Sequence, residues 1–271
     1  MRNGPLHNGQ RATNFQQPTV DVDRGKVDRL WHVDRDIAGR TAPKPFAVFD
    51  IDGTLIRWQL FHAIVHTLGK RGYILRRTHD AIHTARMRWK NRSTDHEFST
   101  YEQVLVTAYA EALTTIHPDD YQRIVTEVYE EFKDQTFTYT RDLLRSLKAQ
   151  GYLLFAISGS QQEIVEMVAR HHGFHAAVGA KLEVKNGMFT GNIDTPIFDK
   201  KAALDTLVRQ HHATYAESYA VGDSMSDAPM LAAVTHPIAF NPDQKLYEAA
   251  RANHWPLVVE RKNVVYRMHD V

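Results

Sequence analysis

The chain has 271 residues, 43% of them hydrophobic, with 33 Lys and Arg against 32 Asp and Glu and a formal net charge of +1. That length carries one large domain, or one domain with a smaller insert, and the balanced charge implies no polyelectrolyte partner. The absence of cysteine excludes disulfides, thiolate metal sites and cysteine nucleophiles together.

Residues 1–44 are polar, rich in Asn, Gln, Arg and Asp, and end in TAPKP. They read as a flexible leader with one short helix around Val27–Ile37. The N-terminus has no apolar signal core, and no apolar run is long enough to span a bilayer, so a cytoplasmic protein is expected.

Ordered structure is predicted to begin at PFAVFDID, where Phe46–Phe49 is an apolar run ending in acids and Gly53, as in a buried parallel strand. Residues from about Trp58 to Thr136 carry helical patterns and no strand, an all-helical insert. Further strands are expected at Tyr152–Ser158, Ser218–Asp223, His236–Phe240 and Pro256–Glu260. Helices are expected at Gln161–His172, Lys200–His211 and Asp243–Asn253, and Asn186-Gly187 marks a hairpin. Strand and helix in alternation give an α/β doubly wound parallel sheet, in which ligands bind beyond the carboxyl ends of the strands.

The polar motifs fall at those ends. Asp50 and Asp52 in DIDGT repel each other unless something positive binds there, and Asp223 and Asp227 in GDSMSD add two more acids. Ser158-Gly159-Ser160 offers a hydroxyl and free N–H groups at a helix start, an anion cradle. Lys200 opens another helix and adds a fixed positive charge. Acids for a hard cation, donors for an anion and a lysine fit Mg²⁺ and a phosphate. One carboxylate can attack phosphorus while a second exchanges protons with the leaving group and water.

These motifs, in this order, resemble the haloacid dehalogenase (HAD) superfamily of aspartyl-phosphate phosphatases, nearest to the branch that includes phosphoserine phosphatase. The likeness covers residues 46–57 and about 140–260, and the helical insert looks like that branch's cap. It implies a HAD-like core over 45–57 and 138–271, a helical cap over 58–137, and Mg²⁺-dependent hydrolysis of a small phosphomonoester. By the resemblance Asp50 is nucleophile and metal ligand. Asp52 is the general acid/base, and its backbone carbonyl reaches the metal. Asp223 is the third protein ligand, and Asp227 supports the metal site from its edge. Ser158, Gly159 and Lys200 hold the phosphoryl group, with Lys201 a rival for Lys200, and Thr54 steadies the first loop. A carboxylate at Asp52 separates this pattern from dehalogenases, which lack it, and from cation-pumping ATPases, which carry threonine there.

Gln59 stands where phosphoserine phosphatases place an acid for the substrate ammonium, and the second motif is Ser-Gly-Ser in place of Ser-Gly-Gly. Both count against phosphoserine itself. Phosphotransfer to an acceptor other than water and a non-catalytic phosphate-binding scaffold are the alternatives. The basic run Lys70–Arg92 reads as a solvated helix face, with attraction of an anionic substrate as its functional reading. No aromatic-interleaved nucleic-acid module accompanies it, so no nucleic acid is expected. His62/His66 and His79/His83 have a spacing that can ligate zinc, but no further ligand motif supports them.

Overall fold

In the computed structural model, the structure describes residues 42–91, 97–262 and 264–268. Residues 1–41 of the expected leader, with its helix at Val27–Ile37, lie outside the described residues, as does Arg92, and the leader's last expected residue, Lys44, already belongs to the first strand.

An eight-stranded sheet organises the chain in the order β4-β3-β2-β1-β5-β6-β7-β8. Its strands are β1 (Lys44–Phe49), β2 (Leu153–Gln161), β3 (Ala176–Lys185), β4 (Met188–Asp194), β5 (Ala213–Gly222), β6 (His236–Phe240), β7 (Leu257–Arg261) and β8 (Val264–Met268). Pairing is parallel from β3 through β7, and an antiparallel strand closes each side, β4 on β3 and β8 on β7.

β1 is central, and its residues Phe46 to Phe49 are fully buried. Alternation along the strand sends Ala47 and Phe49 into one apolar layer and Phe46 and Val48 into the other. The first layer is filled by α6 (Gln162–His172) through Ile164, Val165 and Val168. The second is filled by α7 (Lys200–Gln210), α8 (Ala228–Leu231) and α9 (Gln244–Ala252) through Leu204, Leu231 and Leu246. A strand covered on both faces must be apolar at every buried position, which is why FAVF reads as a run and not as an alternation.

Between β1 and β2 stand α1 (Leu60–Lys70), α2 (Arg76–Asn91), α3 (Glu97–Leu113), α4 (Pro118–Phe132) and α5 (Thr138–Ala149). Ile64, Val65 and Leu68 of α1 join Tyr101 and Leu105 of α3 and Ile124 and Val125 of α4 in the same apolar cluster as the β1 face. α2 buries only Ile82 and Ala85, so its arginines and lysines form a solvated face. The described basic run is therefore mostly surface, and Arg71 pairs with Glu127 at 2.6 Å. The chain leaves for α1 and returns from α4 at one place. Arg57 donates its N–H to the Gln135 carbonyl, and Phe137 donates to the Leu55 carbonyl.

Candidate active site

The first loop follows directly from the end of β1. Asp50 donates its N–H to the Val221 carbonyl of β5, which fixes the loop's root between neighbouring strands. Gly53 has φ +79°, and a Cβ there would lie 2.1 Å from Asp223 Oδ2 and 3.3 Å from Gln59 Nε2. Only glycine lets the loop pass that close to the acid of β5's end. Thr54 is fully buried; its hydroxyl donates to Asp223 at 3.3 Å, and its carbonyl accepts from the Thr140 hydroxyl at 2.8 Å.

Lys200, 2% exposed, lies between two carboxylates, with Nζ donating to Asp50 Oδ1 and Asp227 Oδ1 at 2.6 Å each. Asp199 caps the helix that carries it, accepting the Ala202 N–H at 2.9 Å. Burial alone would lower the Lys200 pKa, but Asp227 and then Asp50 outweigh it and hold the ammonium above the ordinary lysine range. Lys201 instead reaches the half-exposed Asp205 at 2.7 Å, away from the acids. Asp227 is fully buried, and its other oxygen accepts the N–H groups of Asp223 and Ser224 at 3.0 Å. Both of its oxygens are engaged, so its main task is to hold Lys200 and the β5 loop in place.

Asp50, Asp223 and Asp227 each bring a carboxylate oxygen within 4.8 Å of the others. One ammonium touches two of the three, Asp50 and Asp227. Burial pushes the Asp50 carboxyl up to about 7, although Lys200 pulls the other way. Burial, and after it the charges of Asp50 and Asp227, push Asp223 well above the usual carboxylate range. The cluster is thus short of positive charge, and its donors are all oxygen, the set that suits a hard divalent cation. Among the described residues no histidine pair belongs to a cluster of this kind.

The Asp52 carboxylate lies apart from that trio. It accepts from the Ser158 hydroxyl at 2.6 Å and from the Leu60 backbone N–H. Burial raises its pKa, and the Ser158 hydrogen bond opposes the rise. Ser158 Oγ in turn accepts the Ser160 N–H at 2.9 Å, and Ser160 Oγ accepts the Phe61 N–H at 3.0 Å. The second motif therefore holds both the first loop and the start of α1. A Cβ on Gly159 would meet Ile197 Cδ1 at 3.2 Å. Ile197 and Phe198, the latter 90% exposed, put apolar surface beside the motif. Gln59 sits at the N-cap of α1 without a side-chain cap.

The residues singled out in the four motifs thus converge at the carboxyl ends of β1, β2 and β5, with Ser158-Gly159-Ser160 inside the last residues of β2 and not at the start of α6, which begins at Gln162. Thr140, Ser160 as an anchor for α1, and the Ile197-Phe198 edge are not identified from sequence. Thr140 is a hydroxyl in an unremarked helix, and its partner is 86 residues away.

A profile of haloacid dehalogenase-like hydrolases matches residues 47–232. The chain belongs to that family. A Mycobacterium tuberculosis protein named phosphoserine phosphatase SerB2 is 28% identical over 223 residues, 81% of this chain and 49% of that protein, so the chain spans about half its length. A Neisseria meningitidis protein named histidinol-phosphatase is 27% identical over 231 residues, 79% of this chain and 98% of its own. A solved phosphoserine phosphatase, described as a phospho-aspartyl intermediate analogue, superposes with a TM-score of 0.58 at 19% identity, covering 82% of this chain and 96% of that one. The α/β fold described above is the fold of that solved structure. No helix among the described residues is long and apolar enough to cross a membrane.

Proposed function

We propose that the protein is a Mg²⁺-dependent phosphatase that cleaves a small phosphomonoester through a phosphorylated Asp50, with the helices over 58–137 acting as the cap that selects the substrate. The observation that carries this reading is the pair of differently placed carboxyls. Asp50 sits in the cluster with Lys200, while Asp52 sits outside it against Ser158 and the Leu60 N–H.

Asp50 attacks phosphorus, forming an acyl phosphate as the ester P–O bond breaks. Asp52 gives its proton to the departing alkoxide. It then takes a proton from water, whose oxygen attacks phosphorus, releases inorganic phosphate and returns Asp50 as a carboxylate. Lys200, the Ser158 hydroxyl and the Gly159 N–H bind the phosphoryl oxygens, where fixed donors matter most as charge develops. Asp50 and Asp223 would hold Mg²⁺ with the Asp52 backbone carbonyl, and Asp227 would brace the set. When bound, the ion supplies charge neutralisation for the phosphoryl oxygens and for the crowded carboxylates.

The relatives' names point to different leaving groups on one phosphoryl centre, so the cap decides the substrate. A second reading, phosphoserine itself, is favoured by the name of the Mycobacterium relative and opposed by the neutral amide of Gln59. The deciding experiment is phosphate release from a panel of phosphoserine, phosphoethanolamine, phosphocholine, sugar phosphates, nucleotides and lipid phosphates, with Mg²⁺. At least one should be turned over, and Asp50→Asn should abolish release. Turnover by Asp50→Asn at the wild-type rate would sink the mechanism. Silence across the panel would favour the non-catalytic scaffold.

A further inference from the structure

We propose that the cavity between α5, the end of α6 and the segment returning from α4 is a second anion site, one that takes a phosphate group remote from Asp50. The cavity encloses about 460 Å³, within the range of sites that hold small molecules. Arg141 and Arg145 of α5 and His171 and His172 of α6 line it, and Asp134 is its one acid. None of the four motifs' residues lines it, although Leu55, next to Thr54, does; His171 and His172 lie at the far end of α6, whose 11 residues rise about 16 Å from beside Ser160 at 1.5 Å per residue.

The charges in the wall do not cancel. His171 answers Asp134, with Nε2 at 2.7 Å from its carboxylate. His172 is committed to the Lys133 carbonyl at 2.8 Å, and burial holds its imidazole below the usual range, so it shapes the wall. The two arginines share one carboxylate outside the wall. Arg141 Nε donates to Asp142 at 3.1 Å, and Arg145 lies 3.9 Å from the same oxygen. No other partner engages either arginine among the described residues. Two guanidinium groups one helical turn apart, with Leu55 and Leu144 beside them, therefore present spare N–H donors to a cavity open to solvent. Paired forks of that kind suit a phosphate better than a chloride or a single carboxylate.

The site also has a structural consequence. Asp134 and Thr136 belong to the returning segment, which pairs with Leu55 to Arg57. A phosphate bridging α5 to this segment would brace the helices over 58–137 where they join the sheet.

The test titrates the full chain with inorganic phosphate without Mg²⁺, following calorimetry and amide hydrogen exchange at residues 133–137. Wild type should show a binding event that protects those amides. Arg141→Ala with Arg145→Ala should weaken that event by about tenfold or more. Arg141→Lys with Arg145→Lys should restore part of it. Both arginines are surface-accessible, and the double variants should keep the wild-type unfolding midpoint and hydrolysis. No protection at 133–137 in wild type, or equal protection in the double alanine variant, would overturn the site. The readout needs no turnover, so a failed substrate panel leaves it standing.

Discussion

A carboxyl that must hand a proton to a departing alkoxide has to carry that proton close to neutral pH. Burial raises the Asp52 carboxyl in the direction that its proposed role needs, while its two hydrogen-bond donors fix its orientation. Asp52→Asn keeps the shape and loses the exchangeable proton. It should lower kcat by about 10²–10⁴-fold, with a smaller change in KM, in steady-state assays on the best panel substrate. A wild-type kcat would place the acid elsewhere. At this scale the sequence was informative where chemistry forces a residue type. Asp50, Asp52, Ser158, Lys200, Asp223 and Asp227 are legible because few arrangements of acids, a lysine and a glycine-bounded loop suit strand ends. The choice of Lys200 over Lys201 follows from helix position alone, since one helical step turns the side chain by about 100°. The division of labour among the aspartates is less legible. That Asp227 spends both oxygens on Lys200 and the loop depends on backbone N–H directions, which residue spacing does not encode.

Glu260 of β7 joins three elements. Its carboxylate, 6% exposed, accepts the Thr138 and Tyr139 N–H groups at 3.0 and 2.8 Å, capping α5, and pairs with Arg57 at 2.8 Å. Glu260→Ala should therefore destabilise the protein by about 1–3 kcal/mol in urea unfolding, since it removes charged hydrogen bonds and orphans two helix-terminal donors. The Arg57 side chain is 41% exposed, so solvent offsets part of the lost ion pair. An unchanged midpoint would show that water replaces the cap. The elements expected from periodicity are present, from His236–Phe240 at its expected bounds to Ser218–Asp223, which extends back to Ala213. α5 and β8 were not anticipated. α5 buries only Thr140, Leu144 and Leu147, a thin apolar stripe beside polar neighbours. β8 is a half-exposed edge strand, and pairing with β7 stabilises it more than its own pattern does.

For the whole molecule, the acid cluster ties stability to pH and to metal. Unfolded Asp50 titrates near 3.8, whereas burial raises the folded group to about 7. Between those values the unfolded chain has released a proton that the folded chain keeps, so stability falls as pH rises through that window. Asp223 is shifted in the same direction. The metal-free protein should thus have a lower Tm at pH 7.5 than at pH 5 through these groups. Mg²⁺ should raise Tm more at pH 7.5, where it competes with fewer protons. Equal Mg²⁺ shifts at both values, measured by calorimetry against EDTA-treated protein, would contradict a carboxylate-bound ion. The point where the chain leaves and rejoins the sheet has a different kind of consequence. Arg57 and Gln135 are hydrogen-bonded neighbours, so everything between them hangs on two strands of chain a few ångströms apart, as an inserted module does. α2, which buries only Ile82 and Ala85, can change without moving a strand of the sheet, whereas α1, α3 and α4 must keep the apolar surface they share with β1. Under the proposed function, a lineage is thus free to vary the exposed part of the insert while inheriting the acid cluster intact.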